Sequence, residues 1–276
     1  MEKPIQLASE RIREAEGILI GAGAGIGVDS GLPDFRGNEG FWRAYPPIAK
    51  LGIGFQEMVN PRWFERDPNL AWGFYGHRLN LYRQTIPHEG FDILKQWSAH
   101  LPLGAFVYTS NVDGHFQKAG FDSAKIIECH GSLNHFQCVT DCKRMIWSAD
   151  QTEVLVDEER LRAAEPHPEC PHCRGLARPN VLMFGDWGWN SSRTEEQEQR
   201  FRHWQQQASD REIVSIEIGA GTAVPSVRHA CEQFSASENH TLIRINPRES
   251  EAPRRSISIP LKALDAITAI NEKWLS

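Results

Sequence analysis

Apolar residues occur along this chain in short runs of the kind that form buried strands. The first run, at 18–20, follows a segment in which Ile5, Ala8, Ile12 and Ala15 repeat at the spacing of one helix face. Further runs occupy residues 105–108, 125–128, 180–184, 212–219 and 241–246. Most of them are separated by segments of helical length, so the pattern predicts an α/β fold: a Rossmann-like, mainly parallel sheet with helices on both faces.

Two stretches do not follow this alternation. Residues 46–90 are rich in aromatic side chains within helix-like segments, and residues 136–177 contain paired cysteines and several prolines. We expect them to form a smaller domain with a helical part and a cysteine module. The larger, sheet-based domain is then expected to comprise residues 1–45, 91–135 and 178–276. Within it, the charged segment 190–210 predicts an exposed helix.

The composition narrows the classes of partner. With 276 residues, 40% of them apolar, the chain can build one large or two modest domains. A formal charge of -6 gives no general attraction to nucleic acid or anionic lipid. No apolar run reaches the roughly 18 residues of a membrane span, and the charged start argues against secretory or mitochondrial targeting. We therefore expect a cytoplasmic protein with no membrane and no direct nucleic-acid partner.

The segment "GAGIGVDSGLPDFRG", residues 23–37, follows the first apolar run. Glycines alternate strictly here, at Gly21, Gly23, Gly25 and Gly27, unlike the G-x-G-x-x-G of hydride-transferring enzymes. The acid expected about 20 residues later is missing too, so a redox site is disfavoured. Residues 33–36 combine a proline, a carboxylate, an aromatic ring and a guanidinium, which suits a flap over a charged ligand. A glycine-rich turn without a ligand is the alternative.

Two further groups of polar residues come directly after apolar runs. Asn111 and Asp113 follow the run at 105–108, and His130 follows the run at 125–128. At the carboxyl ends of parallel strands these side chains would point into a ligand crevice. A plain turn at Asn111 and a structural role for His130 are the alternatives.

Together these motifs resemble those of the sirtuins, the NAD-consuming protein deacylases. The matching residues are Gly23-Ala24-Gly25, residues 30–37, Thr109, Asn111-Val112-Asp113-Gly114, His130-Gly131-Ser132, two cysteine pairs, residues 178–186 and residues 244–246. They occur in the family's order over nearly the whole chain. The resemblance implies that the larger domain binds NAD and that acyl groups are removed from protein lysine, with release of nicotinamide and O-acyl-ADP-ribose.

The resemblance also implies roles for single residues. His130 would be the general base, assisted by Asn111, and Val181, Phe184 and Gly185 would pair with an extended acyl-lysine peptide. The residues implied to bind NAD are Gly23, Ala24, Gly25, Asp34, Phe35, Arg36, Ser110, Asn111, Val112, Asp113, Gly219, Ala220, Gly221 and Asn246.

Three positions depart from the family pattern. Gly27 stands in place of a serine, Ser110 in place of a glutamine, and Ala220 in place of the threonine of a Gly-Thr-Ser sequence. Each departure removes a side-chain hydrogen bond near NAD, worth about 0.5–1.5 kcal/mol where nothing replaces it. We expect a divergent branch of the family. The alternatives are an NAD hydrolase or ADP-ribosyltransferase and, in another class, a catalytically inactive NAD-binding module.

Four of the six cysteines form two close pairs, Cys138 with Cys142 and Cys170 with Cys173. Two such hairpins can close four thiolates around one tetrahedral zinc ion, which would be structural because no coordination position stays open. Four unliganded thiols are the alternative.

Tyr75 and Arg78 lie three residues apart in "AWGFYGHRLNLYR", so on a helix they share a face. The segment resembles the Phe-Tyr-x-x-Arg stretch of the sirtuin branch that removes acidic acyl groups. There the two side chains hold a succinyl or malonyl carboxylate. In the alternative, Tyr75 packs in the core and Arg78 is solvated.

Overall fold

The structure is a computed structural model that describes residues 2–33 and 37–276. Its strands, in chain order from β1 to β11, are Gly17–Ala22, Ala105–Thr109, Ile126–Glu128, Gly131–Cys138, Ile146–Ser148, Val156–Asp157, Arg162–Ala163, Ala177–Val181, Ile213–Ile218, His240–Ile245 and Ile257–Ile259. Its α-helices, from α1 to α12, are Glu2–Glu14, Gly25–Val28, Gly37–Ala44, Pro46–Lys50, Phe55–Met58, Trp63–Arg66, Pro68–Gln84, Gly90–Ala99, His115–Lys118, Ser192–Ala208, Ser226–Phe234 and Ala263–Leu275.

Six strands form one parallel sheet in the order β11-β10-β9-β1-β2-β3. The predicted runs at 18–20, 105–108, 125–128, 212–219 and 241–246 all lie in it. The central strands β1 and β9 are buried along their whole length, as expected for a sheet covered on both faces. The α/β prediction with a mainly parallel sheet is therefore confirmed.

The run at 180–184 was expected in the same sheet, and that expectation is wrong. Its first residues end β8, which pairs antiparallel with β4 in a separate sheet of order β5-β4-β8. Every residue of β8 is buried. A strand buried on both faces shows no alternation of polar and apolar residues, so the run alone does not reveal the direction of its neighbour.

Two large clusters of buried apolar residues form most of the hydrophobic core. One contains the inner residues of the parallel sheet with α1, α8 and α12, including Ile12, Ile20 and Ile267. The other joins the aromatic side chains of α3 to α7 to the small antiparallel sheet, with Trp72 against Phe136 at 5.1 Å between ring centroids.

Helix α10 matches the predicted segment 190–210, but one face of it is buried. Phe201 and Trp204 pack on Phe106 of β2, with ring centroids 5.0 and 5.7 Å away. None of the helices in the described residues has both the length and the apolar character needed to cross a membrane.

Candidate active site

A cleft of about 1260 Å³ opens where the strands of the parallel sheet end. Crevices at the carboxyl ends of parallel strands are the usual ligand sites of such folds. The predicted site residues that line it are Gly23, Ala24, Arg78, Ser110, Asn111, Val112, Asp113, His130, Val181, Phe184, Gly185, Gly219, Ala220 and Gly221. Asp34, Phe35 and Arg36 lie outside the described residues, while their neighbours Pro33 and Gly37 line the cleft.

The loop after β1 touches the loop after β9 backbone to backbone. A Cβ atom on Gly23 would lie 2.6 Å from Ala220 Cα, and one on Gly25 would lie 2.6 Å from Gly219 Cα. The amides of Gly23 and Gly25 donate to the carbonyls of Ile218 and Gly219, at 3.0 and 3.1 Å. The glycines at 23 and 25 are therefore required by contact within the chain. Gly25 lines a smaller neighbouring cavity instead of the main cleft.

The end of β2 holds Asn111 at the cleft. Asn111 Nδ2 donates to the Gly23 carbonyl at 3.1 Å, and its amide donates to Thr109 Oγ1 at 3.0 Å. Thr109 Oγ1 donates in turn to the Ala22 carbonyl at 2.9 Å. Asp113 Oδ1 accepts from the His115 amide at 2.9 Å, at the first residue of the short helix that follows. These bonds fix both polar side chains relative to the glycine loop.

His130 lies between β3 and β4, with its ring in the same cleft. Burial lowers the pKa of His130 below the ordinary value of 6.5, and a hydrogen bond to the Ser110 backbone partly opposes this change. The imidazole is therefore neutral near pH 7. Nε2 lies 3.2 Å from Ser226 Oγ at the start of α11. Sequence reasoning did not identify Ser226, which no motif of the chain connects to His130.

Asn246 lies behind the cleft and does not line it. It is fully buried, and its Nδ2 donates to the Ala220 carbonyl at 2.9 Å. Its Oδ1 accepts from the amides of Arg248 and Glu249, both at 3.0 Å. Asn246 therefore positions the loop of Gly219, Ala220 and Gly221 through backbone contacts.

Residues 181–185, which we call the docking arm, form one wall of the cleft. The arm is braced by an ion pair between Arg178 and Asp186, whose side chains are 3% and 0% exposed. Arg178 Nη1 donates to Asp186 Oδ1 at 2.9 Å, and Nη2 donates to the second carboxylate oxygen and to the Val181 carbonyl. Asp186 also accepts from the Met183 amide at 3.2 Å. Both residues lie within the matching segment 178–186, but no pattern in the sequence pairs them.

The structure separates Tyr75 from Arg78. Tyr75 is fully buried, its ring is stacked on Phe64 at 5.6 Å, and it does not line the cleft. Arg78 lines the cleft and is 7% exposed. It donates from Nε and Nη2 to the hydroxyl of Tyr82, at 3.0 and 2.8 Å. Tyr82, four residues after Arg78, lines the cleft in the place expected for Tyr75.

The four predicted cysteines come together at one point. Their sulfur atoms all lie within 4.8 Å of one another, with Cys138–Cys173 and Cys142–Cys170 both at 3.6 Å. No disulfide joins them. Zn–S bonds of about 2.3 Å in a tetrahedron place sulfurs about 3.8 Å apart. The cluster is therefore compatible with a structural zinc ion, with all four positions filled by protein.

Comparisons with known proteins agree with this geometry. A sequence model of the Sir2 family matches residues 23–216. An NAD-dependent protein deacylase of Aquifex aeolicus is 35% identical over 173 residues, which are 61% of this chain and 62% of that relative. One of Thermococcus kodakarensis is 32% identical over 180 residues, 65% of this chain and 63% of the relative. The chain thus spans less than two thirds of the length of these relatives.

Solved structures show the same fold over nearly the whole chain. A Sir2 homologue bound to ADP-ribose superimposes with a TM-score of 0.68 and 22% identity, covering 96% of both chains. A Sir2 homologue in complex with NAD gives a TM-score of 0.67 and 23% identity, covering 97% of this chain and 93% of the other. Because the family model matches well over half of the sequence, the chain belongs to the Sir2 family.

Proposed function

We propose that this protein removes acyl groups from protein lysine side chains and consumes NAD, releasing nicotinamide and O-acyl-ADP-ribose. The observation that carries the proposal is that His130, Asn111 and the docking arm line a single cleft. A neutral base and a peptide-binding wall in one cavity suit transfer from a lysine side chain. The names of the relatives, NAD-dependent protein deacylases, support the same activity.

The cleft has the shape and the residues to hold NAD. NAD supplies an ADP-ribosyl group that accepts the acyl group when nicotinamide leaves. We assign the pyrophosphate to the loop of Gly23 and Ala24 and the opposite side to residues 219–221, which Asn246 holds in place. Asn111 and Asp113 lie at the end of β2, where the resemblance places the nicotinamide ribose and carboxamide.

His130 is assigned the role of general base toward a ribose hydroxyl. A backbone carbonyl can only accept a hydrogen bond, so the bond to the Ser110 backbone uses one ring nitrogen as an N–H donor. The other nitrogen remains available to take a proton. We assign that role to Nε2, which faces Ser226 Oγ at 3.2 Å.

The docking arm is assigned to the peptide that carries the acyl-lysine. The Phe184 amide donates to the Val59 carbonyl at 2.9 Å, and its carbonyl accepts from Asn60 Nδ2 at 3.0 Å. The backbone of Phe184 is thus already paired, so we assign the backbone contacts of the peptide to Gly185. The side chains of Val181 and Phe184 then form the apolar wall of the groove.

We further propose that Arg78 contacts the acyl end and favours an acidic acyl chain. Its guanidinium is nearly buried, lines the cleft and is oriented by the Tyr82 hydroxyl. A carboxylate is the ligand that a guanidinium binds best.

We also propose that the four-cysteine cluster holds one structural zinc ion per chain and that the protein is located in the cytoplasm. Thiolates that bind metal persist in a reducing compartment such as the cytoplasm.

Free nicotinamide is the measurement that tests the activity. The protein is incubated with NAD, with and without an acyl-lysine peptide. Release that requires the peptide is expected, and His130→Ala should lower it by a factor of about 100 or more while NAD binding persists. Release without peptide would indicate a hydrolase, and no release would indicate an inactive binding module. Equal loss of NAD binding and turnover in His130→Ala would make His130 structural.

A further inference from the structure

Trp187 is almost completely exposed, although most tryptophans of folded proteins bury much of their ring. Its relative exposure is 99%, whereas Trp72 and Trp97 are fully buried. An exposed large aromatic side chain next to a binding cleft is typical of interaction surfaces, where tryptophan is among the residues that contribute most. Trp187 follows the docking arm by two residues.

The backbone on both sides of Trp187 is fixed. Asp186 is buried and paired with Arg178, and its Oδ1 accepts from the Gly188 amide at 3.2 Å. The Gly188 carbonyl accepts from Gln137 Nε2 at 2.8 Å. The loop therefore presents the indole from a supported position, which reduces the entropy lost when a partner binds.

The described residues place no cation over the face of the Trp187 indole. Trp63, by comparison, has the guanidinium groups of Arg62 and Arg66 at 5.7 and 5.2 Å from its ring centroid. Among the described residues, no Lys or Arg is found over the Trp187 ring. The indole face attracts cations more strongly than any other aromatic side chain.

We propose that Trp187 binds an arginine or lysine side chain that flanks the acyl-lysine in the substrate. This inference rests on the proposed function, because the peptide must first lie along the docking arm. Trp187 lies two residues after Gly185, a distance of at most about 7 Å along the backbone, so a side chain flanking a peptide that is held at Gly185 is within reach of the indole. The cation stacks on the ring and its methylene stem covers the apolar surface. The net charge of -6 also favours a basic partner.

The test compares two acyl-lysine peptides of equal length, one with arginine and one with glutamine at the two flanking positions on each side. For the unmodified protein, kcat/KM is expected to be about three to ten times higher for the arginine peptide, the range of one cation–π contact. Trp187→Ala should bring this ratio close to one, and Trp187→Phe should leave an intermediate ratio.

Leu155→Ala is the matched control, since Leu155 is also exposed, at 70%, and does not line the cleft. It should keep the ratio of the unmodified protein. An unchanged ratio in Trp187→Ala, or no preference in the unmodified protein, would overturn the inference. Equal losses of kcat/KM on both peptides would also overturn it, since they would indicate a role of Trp187 that does not depend on the charge of the flanking side chains.

A second measurement separates this inference from the proposed function. Fluorescently labelled versions of both peptides are titrated with the protein, and Kd is measured by anisotropy without turnover. Absence of nicotinamide release would reject the deacylase activity alone. A Kd ratio above three that disappears in Trp187→Ala would still support the contact, whereas equal Kd values or no binding would reject it.

Discussion

The burial of His130 affects the proposed chemistry directly, because this residue is assigned as the general base. Its ring is partly enclosed by the ends of the strands and the start of α11, and this enclosure lowers its pKa. A surface histidine would be partly protonated near pH 7, and the protonated fraction could not accept a proton. The environment of His130 keeps the acceptor form populated across the neutral range.

The lowered pKa of His130 determines the expected pH dependence of kcat/KM. The neutral imidazole is the active form, so activity is full above the pKa of His130 and falls as the pH drops below it. Because that pKa is below 6.5, the midpoint of the acid limb is expected below pH 6.5. Initial rates at peptide concentrations well below KM, between pH 5 and 8, measure it. A midpoint at or above 6.5 would contradict the assignment of His130 as base.

Arg78→Met tests the acyl preference. Loss of a charge-assisted hydrogen bond of about 1.5–3 kcal/mol should lower kcat/KM on succinyl- and malonyl-lysine by roughly ten- to a hundredfold. The loss on acetyl-lysine should be smaller. Arg66→Met, at an exposed position outside the cleft, is the control. If acetyl-lysine is preferred before the substitution and nothing changes after it, the acidic-acyl proposal is wrong.

Single residues of the cleft could be predicted where they directly follow a strand. Asn111 and His130 occupy such positions, and the topology of a parallel sheet brings them together. Tyr82 could not be chosen over Tyr75, since both lie within one helical turn of Arg78 and only packing determines which one faces the cleft. Ser226 lies 96 residues from His130, and only the tertiary fold brings them together.

Among the elements, β9 and β10 contain a buried ion pair within the parallel sheet. Glu217 of β9 is opposite Arg244 of β10 in the strand register, and both are essentially unexposed. Arg244 Nε and Nη2 donate to the two carboxylate oxygens of Glu217, both at 2.7 Å. The two charges compensate each other in a place where either alone would be strongly unfavourable.

Arg244→Met is therefore expected to destabilise the protein by roughly 3–5 kcal/mol, since the buried Glu217 keeps only the longer contact to Arg228 Nε, at 3.9 Å. The free energy of unfolding from urea titrations measures the effect. The double variant Glu217→Leu with Arg244→Met should regain part of the loss, because the carboxylate and the guanidinium of the pair are removed together. A double variant as unstable as the single one would show that the loss comes from other contacts of Arg244.

The sequence pattern predicts the positions of strands more reliably than it predicts which strands pair with each other. The run at 212–219 includes Glu217, and the apolar residues around it were sufficient to identify a strand. Pairing with Arg244 depends on register, which the pattern does not contain. The same limit applies to β8, whose run was recognised although its antiparallel partner β4 was not.

For the whole molecule, the four-cysteine cluster connects metal binding to folding. It joins the end of β4 to the turn of Cys170 and Cys173, across a long intervening segment. The residues next to the cysteines, at 142–145 and 171–174, are exposed and bury little hydrophobic surface, so a bound metal would contribute much of the folding free energy of this part of the chain.

Cys170→Ser is expected to reduce the zinc content from one ion per chain to nearly none, and to expose residues 136–177 to proteolysis. Elemental analysis and limited proteolysis measure the two effects. Cys129→Ser is the control, because Cys129 lies outside the cluster. The zinc assignment is rejected if the unmodified protein, purified without chelators, contains no zinc.

The division into a larger and a smaller domain stays a prediction. The two large hydrophobic clusters follow a similar division of the chain. One belongs to the parallel sheet, and the other belongs to the aromatic helices and the small antiparallel sheet. The prediction comes from stretches that break the alternation of strands and helices, at residues 46–90 and 136–177. The predicted boundary between residues 177 and 178 falls within β8.

The contact between the loops after β1 and β9 has a consequence for how this cleft can evolve. A side chain at Gly23 or Gly25 would strike the backbone of Gly219 or Ala220, which has no rotamer by which to move away. A substitution in one loop thus becomes tolerable only after the other loop has shifted. The two loops are far apart in the sequence, but substitutions in one are expected to accompany substitutions in the other during evolution.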